Sequence, residues 1–474
     1  MKTLGITVKK DEDFSEWYTQ VVAKAELADY TAVSGCMVFR PYSYAIWEKI
    51  QSELDKRFKT SGHKNAYFPL FIPETLLKKE ATHVKGFSPE VAWVTHAGES
   101  KLSERLAIRP TSETIIYDSY SKWVRSWRDL PLLLNQWCSV VRWEFKYPRP
   151  FVRTREFLWQ EGHTAHSTEK EADHEVLSIL DQYAEVIQDY LAIPVLKGKK
   201  TEQEKFAGAL YTTTLEAFMP DGKALQMGTS HNLGQNFSKA FDINFLGQDG
   251  KKHFAWQTSW GVSTRMIGAL IMMHGDDHGL VLPPNIAPIQ VVIVPIYKTE
   301  TQKQVMKAAS ALHKTLQKQF SVELDDREGY SPGWKFNEWE LKGVPVRIEI
   351  GPRDVEQKQV VLVRRDTGKK NVVKLKEITG DVDKTLDAVQ KNLFKKAQQN
   401  LKTHTVPITS FKAFATAIKN QNMTECFFCG TAQCEEQIKE KTGASSRCLP
   451  FAPKKGKCFL CGKEGKTTYF AKAY

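Results

Sequence analysis

No stretch of this chain is apolar for long enough to cross a bilayer, which takes about 20 residues. The densest run, "MIGALIMM" from Met266 to Met273, stops far short of that. The first thirty residues are polar and mixed in charge, without the apolar segment of a secretory signal. A soluble, cytoplasmic protein is the expectation. Internal repeats and low-complexity tracts are also missing, which argues against a solenoid and against long disordered arms. Cysteine is almost absent from the first 425 residues: six of the eight crowd at 426, 429, 434, 448, 458 and 461. Clustering of that kind in a cytoplasmic chain points to a metal site before disulfides.

The 41% hydrophobic content is ordinary for a globular protein, and 474 residues predict about three domains. A formal net charge of +12 suits a polyanionic partner. The segment "RPYSYAIW" opens a helix over about 41–58, with Ile46, Ile50, Leu54 and Phe58 on one stripe. Another helix follows "RPTSE". Thr168 and Glu171 form a capping box ahead of a third, whose inner face is Ala172, Val176, Ile179, Tyr183 and Ile187. Strand-like runs such as "NAYFPLFIP" and "LLLNQWCSVVRWEF" lie between them, predicting a sheet-rich α+β domain over 1–283. Prolines 283, 284 and 288 mark a linker. Strands then alternate with helices, from "IQVVIVPIY" to a lysine-rich helix near 381–402, predicting a small α/β domain with a mixed sheet over 289–402. The cysteine-rich residues 404–474 make a third unit.

The densest chemistry is in "VVRWEFKYPRPFVRTREFLWQEGHTAH", read as two strands around a Pro-rich turn at Pro148 and Pro150. Alternation through Phe145 puts Arg142 and Glu144 on one face and Val141, Trp143 and Phe145 on the other. The second strand puts Phe157, Trp159, Glu161 and His163 on a common face. A solvated, salt-bridged hairpin is the plain alternative. A planar base with phosphates is the ligand such a surface suits, since rings stack and arginines fork onto phosphate. "RPTSE" places Thr111 and Glu113 at a helix start, where they also read as an N-cap with a dipole-favoured acid. "LQMGTSHNLG" brings Gln226, Thr229 and His231 onto a strand-to-loop stretch, and "GVSTRMIGALIMMHG" puts Ser263 and Arg265 at the head of an apolar helix ending at Gly275. Arginine opposes the dipole there unless an anion binds.

These segments resemble the class II aminoacyl-tRNA synthetases: "VVRWE" with "REFLWQEGH" is similar to their motif 2, "WGVSTRMIGALI" to motif 3, and Pro41 in "FRPYSYAIWEKI" to motif 1. "RPTSE", "GTSHNLGQNFSKAF" and "HGDDHGLVLPPNIAP" narrow the resemblance to the class IIa prolyl-tRNA synthetases of the archaeal and eukaryotic-like type, over essentially the whole chain. The resemblance implies activation of L-proline with ATP and Mg²⁺, transfer to tRNA(Pro), and a homodimer built through motif 1. It implies that Arg142 meets the α-phosphate and Arg265 the γ-phosphate, these two being the catalytic pair. Arg153 adds a second phosphate contact. It places Phe157 on adenine, Glu144 at the adenosine end, and Gln226, Thr229 and His231 on the ribose side. Thr111 and Glu113 offer two acceptors to the secondary ammonium of proline, while Trp159, Glu161, His163 and Ser263 complete its pocket with Arg142.

The 289–402 unit resembles the class IIa anticodon-binding domain, with Glu340, Arg347 and Arg353 as candidates for base edges and phosphates. Four thiolates meet the need of a closed zinc site, and Cys426 with Cys429 makes a "CFFC" knuckle that spacing leaves open. The resemblance favours Cys429, Cys434, Cys458 and Cys461, with Cys426 and Cys448 as spectators. It also implies that the terminal Tyr474 folds back toward the catalytic domain. The interval 167–258 has no place for an inserted editing domain. A synthetase-like binding protein that has lost activation is the competing reading, and another class IIa specificity is a third. Arg142 and Arg265 both stand in place, which favours the enzyme.

Overall fold

The computed structural model describes residues 5–83, 90–145 and 147–474. A helix runs over Pro41–Thr60, its proline preorganised at the first position, and Ile46, Ile50, Leu54 and Phe58 are buried along it. The capping box forms: the Glu171 amide donates to Thr168 Oγ1, and the Glu171 carboxylate accepts from the Thr168 amide at 3.0 Å. The helix it starts, Glu169–Asp189, buries Ala172, Val176, Ile179, Tyr183 and Ile187 against the sheet. Helices Phe14–Lys24 and Arg265–His274 share the same core.

That sheet has 12 strands among the described residues. From one edge its order is Thr405–Ile408, Met423–Phe428, Glu464–Ala473, Ala444–Pro450, Leu196–Lys199, Tyr211–Phe218, Lys223–Gly234, Trp256–Ser263, Glu156–His166, Leu132–Val141 and Lys64–Asn65. Lys455–Lys457 pairs with the Glu464–Ala473 strand. The strands after residue 404 therefore continue the sheet that begins at residue 64. Leu449 and Pro450 pair with Lys199 and Gly198, and Lys472 and Ala473 lie parallel to Lys223 and Ala224.

A second, five-stranded sheet is mixed, as expected. Val322–Leu324, Val291–Pro295 and Val346–Ile350 are parallel neighbours, and Gln359–Arg364 and Lys370–Lys374 extend them antiparallel. Helices Gln302–Leu316 and Ile378–His404 bury their apolar stripes on it. None of the described helices is long and apolar enough to cross a membrane.

Two expectations change. The first hairpin strand ends at Val141, not Phe145, because after Val141 pairs with Glu156 the chain leaves the ladder, closing only with the Arg142 amide on Arg155 O at 2.7 Å. Arg142 and Glu144 thus do not share a strand face; Lys146 lies outside the described residues. "NAYFPLFIP" is two short strands, Lys64–Asn65 and Phe71–Pro73, in different sheets. Pro69 between them has no N–H for a ladder, and the Phe68 amide turns to the Gln136 side chain.

The joint between the two parts of the large sheet depends on a missing side chain. A Cβ at Gly198 would sit 2.0 Å from Leu449 O and 2.6 Å from Cys448 Sγ. Gly198→Ala should therefore destabilise the protein by about 1–3 kcal/mol, measured as a lower urea midpoint. Gly380→Ala, at an exposed position of the Ile378–His404 helix with nothing near its Cβ, should be neutral or raise stability by up to about 1 kcal/mol.

Candidate active site

Odd-numbered residues of the Glu156–His166 and Trp256–Ser263 strands point away from the core helix, and they line a cavity of about 260 Å³. Phe157, Trp159, Glu161 and His163 come from the first strand, Ser259, Gly261 and Ser263 from the second. Thr111 and Glu113 close it at the head of helix Glu113–Trp123, and Arg142 and Arg265 enter from the side.

Gln226, Thr229 and His231 reach the same cavity from the Lys223–Gly234 strand. Gln226 and Thr229 are three apart, so strict alternation would put them on opposite faces. The register shifts here: Leu215 pairs with Gly228 and Glu216 with Gln226, leaving Met227 as the extra residue of a bulge. The bulge returns Gln226 to the cavity face. Nothing in "LQMGTSHNLG" announces it.

Glu161 is the hub of the wall. Its carboxylate accepts from the Ser112 amide at 3.1 Å, the Ser112 hydroxyl, Gln136 Nε2 at 3.0 Å and Cys138 Sγ at 3.4 Å, and it meets His163 Nε2 at 3.1 Å. Burial alone pushes this carboxyl up, but the bond from His163 and its charge, with the Ser112 and Gln136 donors, bring it below the ordinary range. Burial likewise opposes charge on His163, while Glu161 and Glu113 together raise it above the usual imidazole value. The other ring nitrogen of His163 meets the Tyr117 hydroxyl at 3.1 Å. Glu161 and His163 thus spend their polar atoms on each other and on the frame.

Glu113 differs. Among the described residues its one side-chain hydrogen-bond partner is the Thr111 hydroxyl, and burial raises its pKa. Ser112, not Thr111, stands at the N-cap position, and it makes no side-chain cap bond because its hydroxyl goes to Glu161. The cap reading of Thr111 therefore fails on geometry.

Arg142 donates from Nε to Pro110 O at 3.1 Å and sits over the rings of Phe157 and Trp159, 5.5 and 5.3 Å from their centroids. Burial lowers its pKa, offset by Glu144 and Glu113. Arg265 is the first residue of its helix, as expected. It donates to Val152 O and Gln226 O, each at 3.3 Å, and burial, then the nearby Arg142, bring its pKa down to about 10. His231 is held neutral, its pKa pushed down to about 3 by burial, with Nδ1 on Thr212 Oγ1 at 2.9 Å and its ring 4.7 Å from that of Phe206.

Two candidates fall outside this lining. Glu144 is exposed in the turn that follows Val141. Arg153 lies over the Phe145 ring and lines a neighbouring cavity with Arg149 and Tyr474. Tyr474 packs against the main core, with its hydroxyl on Asp221. Sequence reasoning missed Phe206, Glu204, Thr212 and Ser259 in the lining and Gln136 behind it. Phe206 sits alone in the polar loop "TEQEKFAGAL", where no periodicity marks it.

In the second sheet, Glu340 and Arg347 line a cavity of about 170 Å³ with Arg364, Arg365 and Lys370; Arg353 is exposed outside it. Arg347 is paired with Glu349 at 2.9 Å and lies 4.2 Å over Phe336. The thiols of Cys429, Cys434, Cys458 and Cys461 lie within 4.8 Å of one another, whereas Cys426 turns its sulfur to Thr468 O.

Glu161→Gln keeps the wall's shape and removes its charge, at an expected cost of about 3 kcal/mol. A depressed carboxyl pKa stabilises above its unfolded value, and a raised imidazole pKa stabilises below its own. The parent's advantage should therefore peak between about pH 4.5 and 6.5 and shrink on either side. Urea unfolding across pH reads this, and the His163 NMR titration should move to lower pH in the variant.

Three family profiles match: the class II tRNA synthetase core domain (G, H, P, S and T) over residues 94–274, an anticodon binding domain over 290–385, and a prolyl-tRNA synthetase C-terminal domain over 411–474. The chain is 53% identical over 470 residues to a proline–tRNA ligase of Natranaerobius thermophilus, covering 98% of this chain and 97% of that one. It is 54% identical to proline–tRNA ligase 2 of Bacillus cereus, covering 98% of each, and 55% identical to a proline–tRNA ligase of Alkaliphilus oremlandii, covering 98% and 96%. With a class II core around a cavity walled by Glu113, Arg142 and Arg265, and relatives matched from end to end, this chain belongs to the proline–tRNA ligase family of class II aminoacyl-tRNA synthetases.

Proposed function

We propose that this chain is a proline–tRNA ligase, which joins L-proline to ATP and passes the prolyl group to the 3′ end of tRNA(Pro). The observation that carries the reading is the pairing, within one cavity, of a buried carboxylate whose side-chain partner among the described residues is the neutral Thr111 hydroxyl with two arginines, Arg142 and Arg265. Glu113 and Thr111 present two acceptors to the two N–H bonds of a secondary ammonium. Trp159 and Phe206 offer apolar faces to the pyrrolidine ring. Glu161 and His163 hold the wall in place. Arg142 takes the α-phosphate and Arg265 the γ-phosphate of the magnesium–ATP substrate. Phe157 stacks on adenine, Gln226, Thr229 and His231 hold the ribose side, and Glu144 and Arg153 close over the nucleotide from the turn.

The chemistry follows from placement. A carboxylate oxygen of proline attacks the α-phosphorus in line, the bond to the β-phosphate oxygen breaks, and pyrophosphate leaves with that electron pair. Arg142 screens one anion from the other and meets the charge that grows on the phosphoryl oxygens. The tRNA 3′-hydroxyl then attacks the prolyl carbonyl, and AMP departs. No protein nucleophile is needed.

The unit over 1–283 performs this reaction, the unit over 289–402 reads the anticodon through Glu340, Arg347 and Arg353, and the unit over 404–474 carries zinc. The protein acts in the cytoplasm as a homodimer through the region of Pro41, where exposed Tyr30, Val38 and Tyr44 flank the helix start. Residues 167–258 are taken up by the core helix, the nucleotide-side strands and their links, so discrimination against alanine and cysteine rests on the pocket, at about 1–3 kcal/mol per missing methylene.

Pyrophosphate exchange with each of the twenty amino acids is the test. Proline should dominate, with weak alanine and cysteine signals; exchange driven by another amino acid, or none, refutes the reading. Arg142→Ala should abolish exchange. Glu113→Gln should raise the KM for proline by about tenfold or more and leave that for ATP nearly unchanged, because only the ammonium loses its counter-charge.

The cysteine set fits zinc. A tetrahedron with Zn–S bonds of about 2.3 Å has edges of about 3.8 Å, and the Cys429 and Cys461 sulfurs are 3.7 Å apart. Zinc would tie the 429–434 turn to the 458–461 turn. Metal analysis should give about one zinc per chain. Cys429→Ser or Cys461→Ser should lose it, while Cys426→Ser and Cys448→Ser should retain it.

A further inference from the structure

Glu216, on the Tyr211–Phe218 strand, has no exposed surface, and its carboxylate is held from three sides. Lys200 Nζ reaches it at 2.7 Å, Arg447 forks onto Oε2 from Nε at 3.0 Å and Nη2 at 2.7 Å, and Thr214 donates at 2.8 Å. Both cations are themselves buried, with side chains 3% and 8% exposed. Arg447 belongs to the Ala444–Pro450 strand, in the part of the chain matched by the C-terminal profile.

Glu216 is the residue paired with Gln226 across the bulge. Residues opposite each other in a ladder share a face, so the carboxylate lies on the cavity side of the sheet, beside the residue that reaches the nucleotide end. The Gln226 carbonyl in turn accepts from Arg265. Arg447, Glu216, Gln226 and Arg265 therefore form one connected series, running from the C-terminal unit into the cavity. The charges do not balance: two buried cations, Lys200 and Arg447, share the one Glu216 carboxylate, and the part-buried Arg265 adds a third positive charge beside them. Burying unmatched charge is unfavourable, and an anion in the cavity completes the set. A purely structural ion pair would have no reason to leave that excess beside Arg265.

We infer that Arg447 is a positioning residue for the nucleotide: by clamping Glu216 against Lys200 it fixes the bulge at Met227, and with it Gln226 and the Arg265 guanidinium, so that the C-terminal unit supplies part of the frame of the ATP site. The inference rests on the reading of the Arg265 end of the cavity as the phosphate end.

The test is proline-dependent pyrophosphate exchange by the full chain with Arg447→Met and Arg447→Lys, with zinc content and urea midpoint measured alongside. Arg447→Met should raise the KM for ATP about tenfold and lower kcat, with the KM for proline within about twofold of the parent. Arg447→Lys keeps the buried charge and loses the fork, so it should fold as the parent does and raise the KM for ATP by a smaller factor, about threefold. This second variant carries the test if the first does not fold. An unchanged KM for ATP in Arg447→Lys, or equal rises for ATP and proline in either folded, zinc-loaded variant, overturns the inference. Failure of the parent to exchange with proline at all would instead refute the proposed function.

Discussion

The Trp260 indole lying across Gly162 sets the register on which the cavity depends. The two residues are direct partners in adjacent strands, and a Cβ at Gly162 would come within 2.1 Å of the ring. Slipping either strand by one residue would drive the indole into Glu161 or His163 and turn every odd-numbered side chain to the opposite face. With the register held, Phe157, Trp159, Glu161 and His163 align with Ser259, Gly261 and Ser263. The same indole packs against Phe58 and Tyr183 from the core helices, so the pressure of the hydrophobic core is what keeps the polar face in order.

On that face, charge is managed by division of labour. Glu161 collects donors from a helix head, the neighbouring Leu132–Val141 strand and His163, and it becomes a fixed anion in the wall. Glu113, in the same cavity, has the neutral Thr111 hydroxyl as its side-chain partner among the described residues. Arg142 and Arg265 bond to carbonyl oxygens, which orient them without neutralising them. Pre-oriented charges need little rearrangement when a charged substrate enters.

The C-terminal strands extend the catalytic sheet and send Arg447 beneath its bulge. Gly198 allows their close approach, and Lys472 and Ala473 return to the strand that carries Gln226. A unit recognisable in the sequence by its cysteines is thereby continuous, through backbone hydrogen bonds, with the strands of the cavity.

Much of this was legible in the residues themselves. Period-two alternation in "REFLWQEGH", the capping box at Thr168 and the arginine at the head of an apolar helix are local signals, because each is decided by neighbours within a few residues. The four cysteines of the cluster were legible from the family resemblance, while spacing alone left Cys426 in contention. Tertiary structure alone decided the rest. It ended the first hairpin strand at Val141 and so moved Glu144 to the rim; it placed Phe206 in the lining beside His231; and it inserted the Met227 bulge that restores Gln226 to the cavity. It also engaged Glu161 and His163 with the frame, and brought Arg447 to Glu216 across 231 residues of sequence. Such pairings depend on which strands become neighbours and in what register, and that is settled by burial of the whole core, which no short window of sequence contains.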